Sequence, residues 1–323
     1  MKKYLTLIFL WLNSAAAGDV QFEFHVYRME AAIGMALEER LITGGEAAIG
    51  AYDKLPDFVR QRRITELDTL SLTAPPGDRV RKASKETHIN LPAHEAVDGL
   101  EIEMTLESED GSIDFTYYAA YTNEEKDQPI ERTVTSQMQG KSGVPMLLCR
   151  WQMERDWLLL IGKATGPDIA KPASPKGHIL YIESGFYPSA TSAKSGRDML
   201  ASTRIPCLSG KQGRAEMTAW IDDDNILDTD QPGFRVFLDP DLYEDGTVRL
   251  TAKCGYIVQA GGRTRLENGE RTRRLKIREV SDTFDMQEGV LAGRKSKIAA
   301  LEDIDTKEDN YVAAFKFVRA KAE

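Results

Sequence analysis

Residues 97–115 read VDGLEIEMTLESEDGSIDF, and residues 232–250 read PGFRVFLDPDLYEDGTVRL. In the first, Leu100, Ile102, Met104 and Leu106 alternate with polar residues. A period of two places those four on one face of a β-strand. Glu109-Asp110-Gly111 then turns the chain, and Ile113, Phe115 and Tyr117 alternate on the way back. Glycine tolerates the positive φ that tight hairpin turns demand, so the stretch predicts a β-hairpin. The second stretch repeats the plan: Gly233, a strand of alternating apolar residues, the Glu244-Asp245-Gly246 turn, and a return through Val248 and Leu250.

The two turns are offset by 135 residues, and upstream the same offset carries Leu70 to Ile205, Leu72 to Cys207 and Arg79 to Arg214. Any two β-rich segments can share an Asp-Gly turn, but one register serving two separate segments argues for duplication. Repeats of this length are whole domains rather than solenoid units. The fold class that follows is α+β and β-dominated: two tandem, related antiparallel β domains, the first with an N-terminal helical insert.

The rest of the chain fits around that pair. Val20, Phe22, Phe24 and Val26 alternate in a strand that keeps His25 on its polar face. From Met29 to Arg40 the apolar residues fall at helical spacing, and Thr43-Gly44-Gly45 ends that helix. A second helical stretch runs from Glu46, is interrupted near Pro56, and ends by Arg62. Strand signals resume at Leu67, with a turn at Pro75-Pro76-Gly77-Asp78. Asn123 to Arg132 is polar and charged and reads as a long loop. Val144 to Gly162 holds two apolar runs split by Glu154-Arg155-Asp156, which predicts another hairpin. Residues 165–177, with three prolines, are the best linker. The expected divisions are a signal peptide at 1–17, a first domain at 18–164, the linker, and a second domain at 178–323.

The start of the chain carries an export signature. Lys2 and Lys3 precede the apolar run Leu5 to Leu12, and Ser14-Ala15-Ala16-Ala17 supplies the small residues that a signal peptidase reads. The run is much shorter than the roughly 20 apolar residues of a membrane-spanning helix. The expected location is therefore the periplasm or the outer membrane's surface. The formal net charge of −9 becomes more negative once Lys2 and Lys3 leave. Nucleic acids and anionic lipid surfaces, which need clustered positive charge, are disfavoured as partners. The main basic cluster, Arg271-Thr272-Arg273-Arg274, has Glu267, Glu270 and Glu279 around it and reads as a solvated loop face.

No residue is assigned a catalytic, cofactor-binding or metal-binding role. His25, His88, His94 and His178 lack partners at metal spacing. Asp222, Asp223, Asp224, Asn225, Asp228 and Asp230 gather the oxygen ligands Ca²⁺ prefers, but without the Gly and terminal Glu of an EF-hand loop they read as an acidic surface loop. Ser184-Gly185 and Ser209-Gly210 lack the G-x-S-x-G frame, and Ala260-Gly261-Gly262 reads as a charged hairpin tip rather than a phosphate loop. Trp151 and Trp157 flank a turn, where packing between hairpins outweighs carbohydrate stacking. Cys149 follows Met146-Leu147-Leu148 and reads as a small hydrophobe. With three cysteines left, at least one thiol is unpaired, and spacing leaves a Cys207–Cys254 disulfide open.

At the repeat the chain resembles the core domain of the secretins, the ring-forming outer-membrane proteins of type II and type III secretion and type IV pili. The resemblance rests on Leu200 to Ala215, on Gly233 to Arg249 with Asp239-Pro240 at the family's proline, and on Gly289-Val290. Gly99 to Phe115 and Ser142 to Ile161 follow the plan more loosely. It implies a cell-envelope setting and protein partners, including components of a secretion system. The family's channel-gate signature is missing from both repeats, so channel activity is not carried over. The function expected is therefore non-catalytic and structural, in a secretion or pilus-like assembly. Two alternatives stand beside it: a true secretin-type pore subunit, and an envelope module binding Ca²⁺ or glycans.

Overall fold

The computed structural model describes residues 19–85, 99–107, 113–125, 128–153, 156–166, 178–196, 198–219, 231–265, 271–295, 297–298 and 311–320. The first repeat opens with β1 (Val20–Met29), followed by α1 (Ala31–Thr43), α2 (Gly45–Tyr52) and α3 (Leu55–Arg60). It continues through β2 (Ile64–Ala74), β3 (Arg79–Ala83), β4 (Gly99–Glu107), β5 (Ile113–Glu125), β6 (Gln128–Gly140), β7 (Pro145–Met153) and β8 (Asp156–Thr165). The second runs β9 (Ile179–Tyr187), α4 (Ala190–Ser195), β10 (Ala201–Leu208), β11 (Gly213–Ala219), β12 (Gly233–Leu242), β13 (Val248–Arg265), β14 (Arg271–Met286), β15 (Ala292–Lys295), β16 (Lys297–Ile298) and β17 (Val312–Arg319).

All these strands form two antiparallel sheets. One has the order β15-β17-β9-β10-β7-β8-β1-β2, the other β16-β14-β13-β12-β11-β6-β5-β4-β3. Each sheet holds four strands of the first repeat beside the corresponding strands of the second, in the same order. The halves share one topology, and strands β2 to β5 map onto β10 to β13 at the offset read from the sequence. Neither sheet breaks at the join. In the first sheet Ala201 to Arg204 of β10 pair with Met153 to Arg150 of β7. In the second, Arg214 to Ala219 of β11 pair with Thr135 to Ile130 of β6.

The inward faces of the two sheets make one continuous core. The alternating residues of β4, Leu100, Ile102, Met104 and Leu106, all point into it and are buried. They share it with Phe22, Phe24, Trp151, Phe186, Phe234, Leu250 and Phe315. A second, smaller core lies on the outer face of the first sheet. There α1 to α3 cover Tyr27, Met29, Leu147, Leu159 and Ile161 with Leu37, Leu41, Ala48 and Leu55. Gly246 has φ 84° in the turn between β12 and β13, the left-handed conformation expected of that hairpin. Its counterpart Gly111 lies outside the described residues.

Several local expectations change. Asn123 to Arg132 is no long loop: its described residues belong to strands β5 and β6, whose pairing runs from Ile113↔Gly140 to Glu125↔Gln128. The alternation there is hidden because inward positions of β6 include Arg132 and Ser136 besides Ile130, Val134 and Met138. Ala260 to Gly262 is a bulge inside β13 rather than a hairpin tip, since pairing with β14 shifts register between Ala260 and Arg263. Arg271 to Arg274 sit in β14, paired with β13, and not in a loop. The expected leader at 1–17, most of the expected linker at 165–177, His88, His94, Glu267, Glu270 and the expected acidic loop at 222–230 lie outside the described residues. Among the described residues no helix is long and apolar enough to cross a membrane.

Candidate functional site

The apolar face of α1 is Gly34, Leu37, Glu38, Leu41 and Ile42, all buried. That spacing is one helical stripe, and it contains a carboxylate. Glu38 is only 1 % exposed. Such a group is costly to bury unless it is paired, and its partners come from the sheet below.

A row of cross-strand neighbours runs under α1. Leu159 of β8 faces Arg150 of β7, Arg150 faces Arg204 of β10, Arg204 faces Glu183 of β9, and Glu183 faces Lys316 of β17. Two arginines directly opposite one another repel. Here two carboxylates bridge them into a ring of four charges. Arg150 Nη2 donates to Glu183 Oε1 at 3.0 Å, and Arg204 Nη2 donates to Glu183 Oε2. From above, Glu38 Oε2 lies 3.1 Å from Arg204 Nη1 and 3.5 Å from Arg150 Nη1. Arg150 Nη2 also donates to Ser202 Oγ at 2.8 Å. Its guanidinium lies over the Trp157 ring, 4.6 Å from the centroid.

Trp157 in turn sets how closely α1 can approach. A Cβ on Gly34 would fall 2.3 Å from Trp157 Nε1, so any larger residue there would have to displace the ring. The charge ring joins the repeats physically, because Glu38 and Arg150 belong to the first and Glu183 and Arg204 to the second. Beside it opens a cleft of about 500 Å³ between α1 and β17. Met35, Glu39 and Ile42 form the helix wall, and Lys316 and Val318 form the sheet wall.

The two carboxyls respond to this setting in opposite ways. Burial opposes ionisation of Glu183, but the charges of Arg150 and Arg204 and their hydrogen bonds outweigh it and bring the carboxyl down to about 2. Burial raises Glu38, and the pull of Arg150 and Arg204 offsets that only in part. Burial also opposes the charge on Arg150, yet Glu183 and Glu38 hold its guanidinium protonated.

A second polar cluster pins α2 to the sheet. His25 Nδ1 lies 2.9 Å from Glu66 Oε1, and Tyr52 Oη lies 2.8 Å from His25 Nε2. The order carboxylate, imidazole, hydroxyl has the form of a proton relay. Burial pushes the Tyr52 phenol up to about 12, so it stays protonated and is not an activated nucleophile.

The remaining sequence candidates fall elsewhere. His178 is exposed. Trp151 is in the core and donates through Nε1 to the Thr133 carbonyl at 3.2 Å, whereas Trp157 is under α1. Ser184 is buried on the inner face of β9. Cys149, Cys207 and Cys254 are buried free thiols, so no Cys207–Cys254 disulfide forms. Among the described residues no group of three or more His, Cys, Asp or Glu is placed to hold a metal ion.

The ring is absent from the sequence-derived candidates, although a signal for it exists. Arg150 and Glu183 are single charges that follow the apolar runs Leu147-Leu148-Cys149 and Ile179 to Ile182, and Glu38 falls in the buried stripe of its helix. Fold and site together define a two-repeat antiparallel β-sandwich with an ion-paired seam. No family model matches the chain, and no curated protein or solved structure matches it.

Proposed function

We propose that the protein is a non-catalytic, exported component of a bacterial cell envelope with a structural or scaffolding role in a secretion or pilus-like assembly. The observation that carries this reading is the continuity of both sheets through the two repeats. Strand pairing on both layers makes the repeats one stiff unit, which suits a part that holds others at fixed spacing. The export signature and the secretin-like segments supply the setting.

The chemistry of the buried groups points the same way. Burial pushes the Cys207 thiol up to about 12 and raises Cys149 and Cys254 as well, which leaves them poor nucleophiles. The charges beneath α1 neutralise one another rather than facing an activated group. Affinity purification of the chain from crosslinked envelope extract tests the reading. Recovery of envelope-assembly proteins in a large complex is the expected result. A monomer that co-purifies with no envelope protein would overturn it.

A further inference from the structure

The cleft beside the charge ring goes beyond a scaffolding role. Its volume, about 500 Å³, is within the range that holds small molecules. Most of its charges are already matched. Arg150, Arg204, Glu38 and Glu183 are ion-paired with one another in the ring. At the rim Arg319 Nε pairs with Glu288 Oε2 at 2.9 Å. Two lining charges then remain, Glu39 on the helix wall and Lys316 on the sheet wall. Neither has an ion-pair partner among the described residues.

The walls also offer apolar surface. Met35 is 55 % exposed and lines the cleft with Ile42 and Val318. The floor of the cleft is polar as well. Glu38 Oε1 and Arg150 Nε are buried without a hydrogen-bond partner, in side chains that line this cleft and are almost wholly buried.

We propose that the cleft binds a small zwitterion of the amino-acid class: a free apolar amino acid or a dipeptide. Its carboxylate lies against Lys316, its ammonium against Glu39, and its side chain on Met35, Ile42 and Val318. A ligand with a single charge would match one wall and leave the other unmatched. A zwitterion answers both, and the cleft's balanced charge requires no counter-ion.

Calorimetry on the chain without its leader tests this, using L-leucine and Leu-Leu as probes. Isocaproate, which lacks the amino group, and isoamylamine, which lacks the carboxylate, serve as comparisons. The expected result is saturable binding of leucine or of the dipeptide, weakened at least tenfold in both single-charge analogues. Glu39→Gln and Lys316→Met should each weaken the zwitterion at least tenfold while leaving the ligand-free unfolding temperature unchanged. Binding of leucine alone or of the dipeptide alone supports the proposal and fixes which zwitterion fits. No binding of either to folded protein, or binding indifferent to both substitutions, would overturn it. Envelope pull-downs read a separate property, so either idea can fail alone.

Discussion

The two repeats share a strand order but differ on the outer face of the first sheet. Between β1 and β2 the first repeat carries three helices, whereas between β9 and β10 the described residues of the second form one short helix, α4. The insert buries a sizeable second core over Tyr27, Leu159 and Ile161. Over the second repeat the corresponding cluster shrinks to Tyr187, Ala193, Val312 and Ala314. The shared strand order supplies the frame, and the helices make the halves unequal. Where α1 reaches the seam, that inequality becomes chemistry, because there a helix carboxylate meets charges from both repeats.

The strongest way to break the asymmetry is at Arg150. Arg150→Met removes one guanidinium and leaves Glu38 and Glu183 short of a partner. Removing one member of a buried ion pair typically costs about 3–5 kcal/mol, and chemical denaturation should read a loss of that size.

Acidification sharpens the comparison because the two carboxyls of the ring respond with opposite signs. Because Glu183 is held at about 2 in the folded chain, its contribution is fully present above the ordinary glutamate value near 4.5. It is lost as pH falls from there toward 2, by roughly 3 kcal/mol at most. Glu38 has the opposite sign: its raised value favours the protonated fold, and that contribution fades as pH rises. Unfolding free energy measured from pH 6 to pH 2 should fall less in Glu183→Gln than in the original chain.

Gly34→Ala tests the seating of α1. The new Cβ would strike Trp157, and overpacking of this kind costs about 1–3 kcal/mol. The better helix propensity of alanine, worth up to about 1 kcal/mol, offsets part of it. A net destabilisation by calorimetry, with altered tryptophan fluorescence, is the expected outcome.

The smallest effect belongs at Thr69, the counterpart of Arg204 at the repeat offset, which is exposed on the outer strand β2. Thr69→Ala should stay within about 0.5 kcal/mol of the original stability. A large loss there would mean that the outer strand carries structural importance comparable to the seam.

How much of this was legible depends on whether a signal is local. Leu100 to Leu106 and Gly233 to Leu250 disclosed their strands because alternation is a nearest-neighbour property. The shared offset disclosed the repeat because two such local patterns recur in one register. Strand β6 was hidden, since Arg132 and Ser136 occupy inward positions and erase the apolar rhythm. Arg132 is buried with its Nη1 on Asn123 Oδ1, a pairing across the hairpin that no local pattern records. The seam was equally hidden, because Arg150 and Arg204 meet only once distant strands pair. Glu38 looked like an ordinary helix residue until the sheet beneath it was known. Its place in a buried stripe was readable, but its partners were not.

The direction of the outermost chain passages has one last consequence. Gln21, near the start of β1, pairs with Thr165, and Arg319, closing β17, pairs with Leu180. Followed through β8, β7, β10 and β9, these pairings put both residues on the same rim of the first sheet. Five strand steps separate β1 from β17, or about 24 Å at the usual strand spacing. Both points thus lie on one side of a sheet whose strand pairing runs unbroken between them, so their separation is set by hydrogen bonds rather than by a hinge.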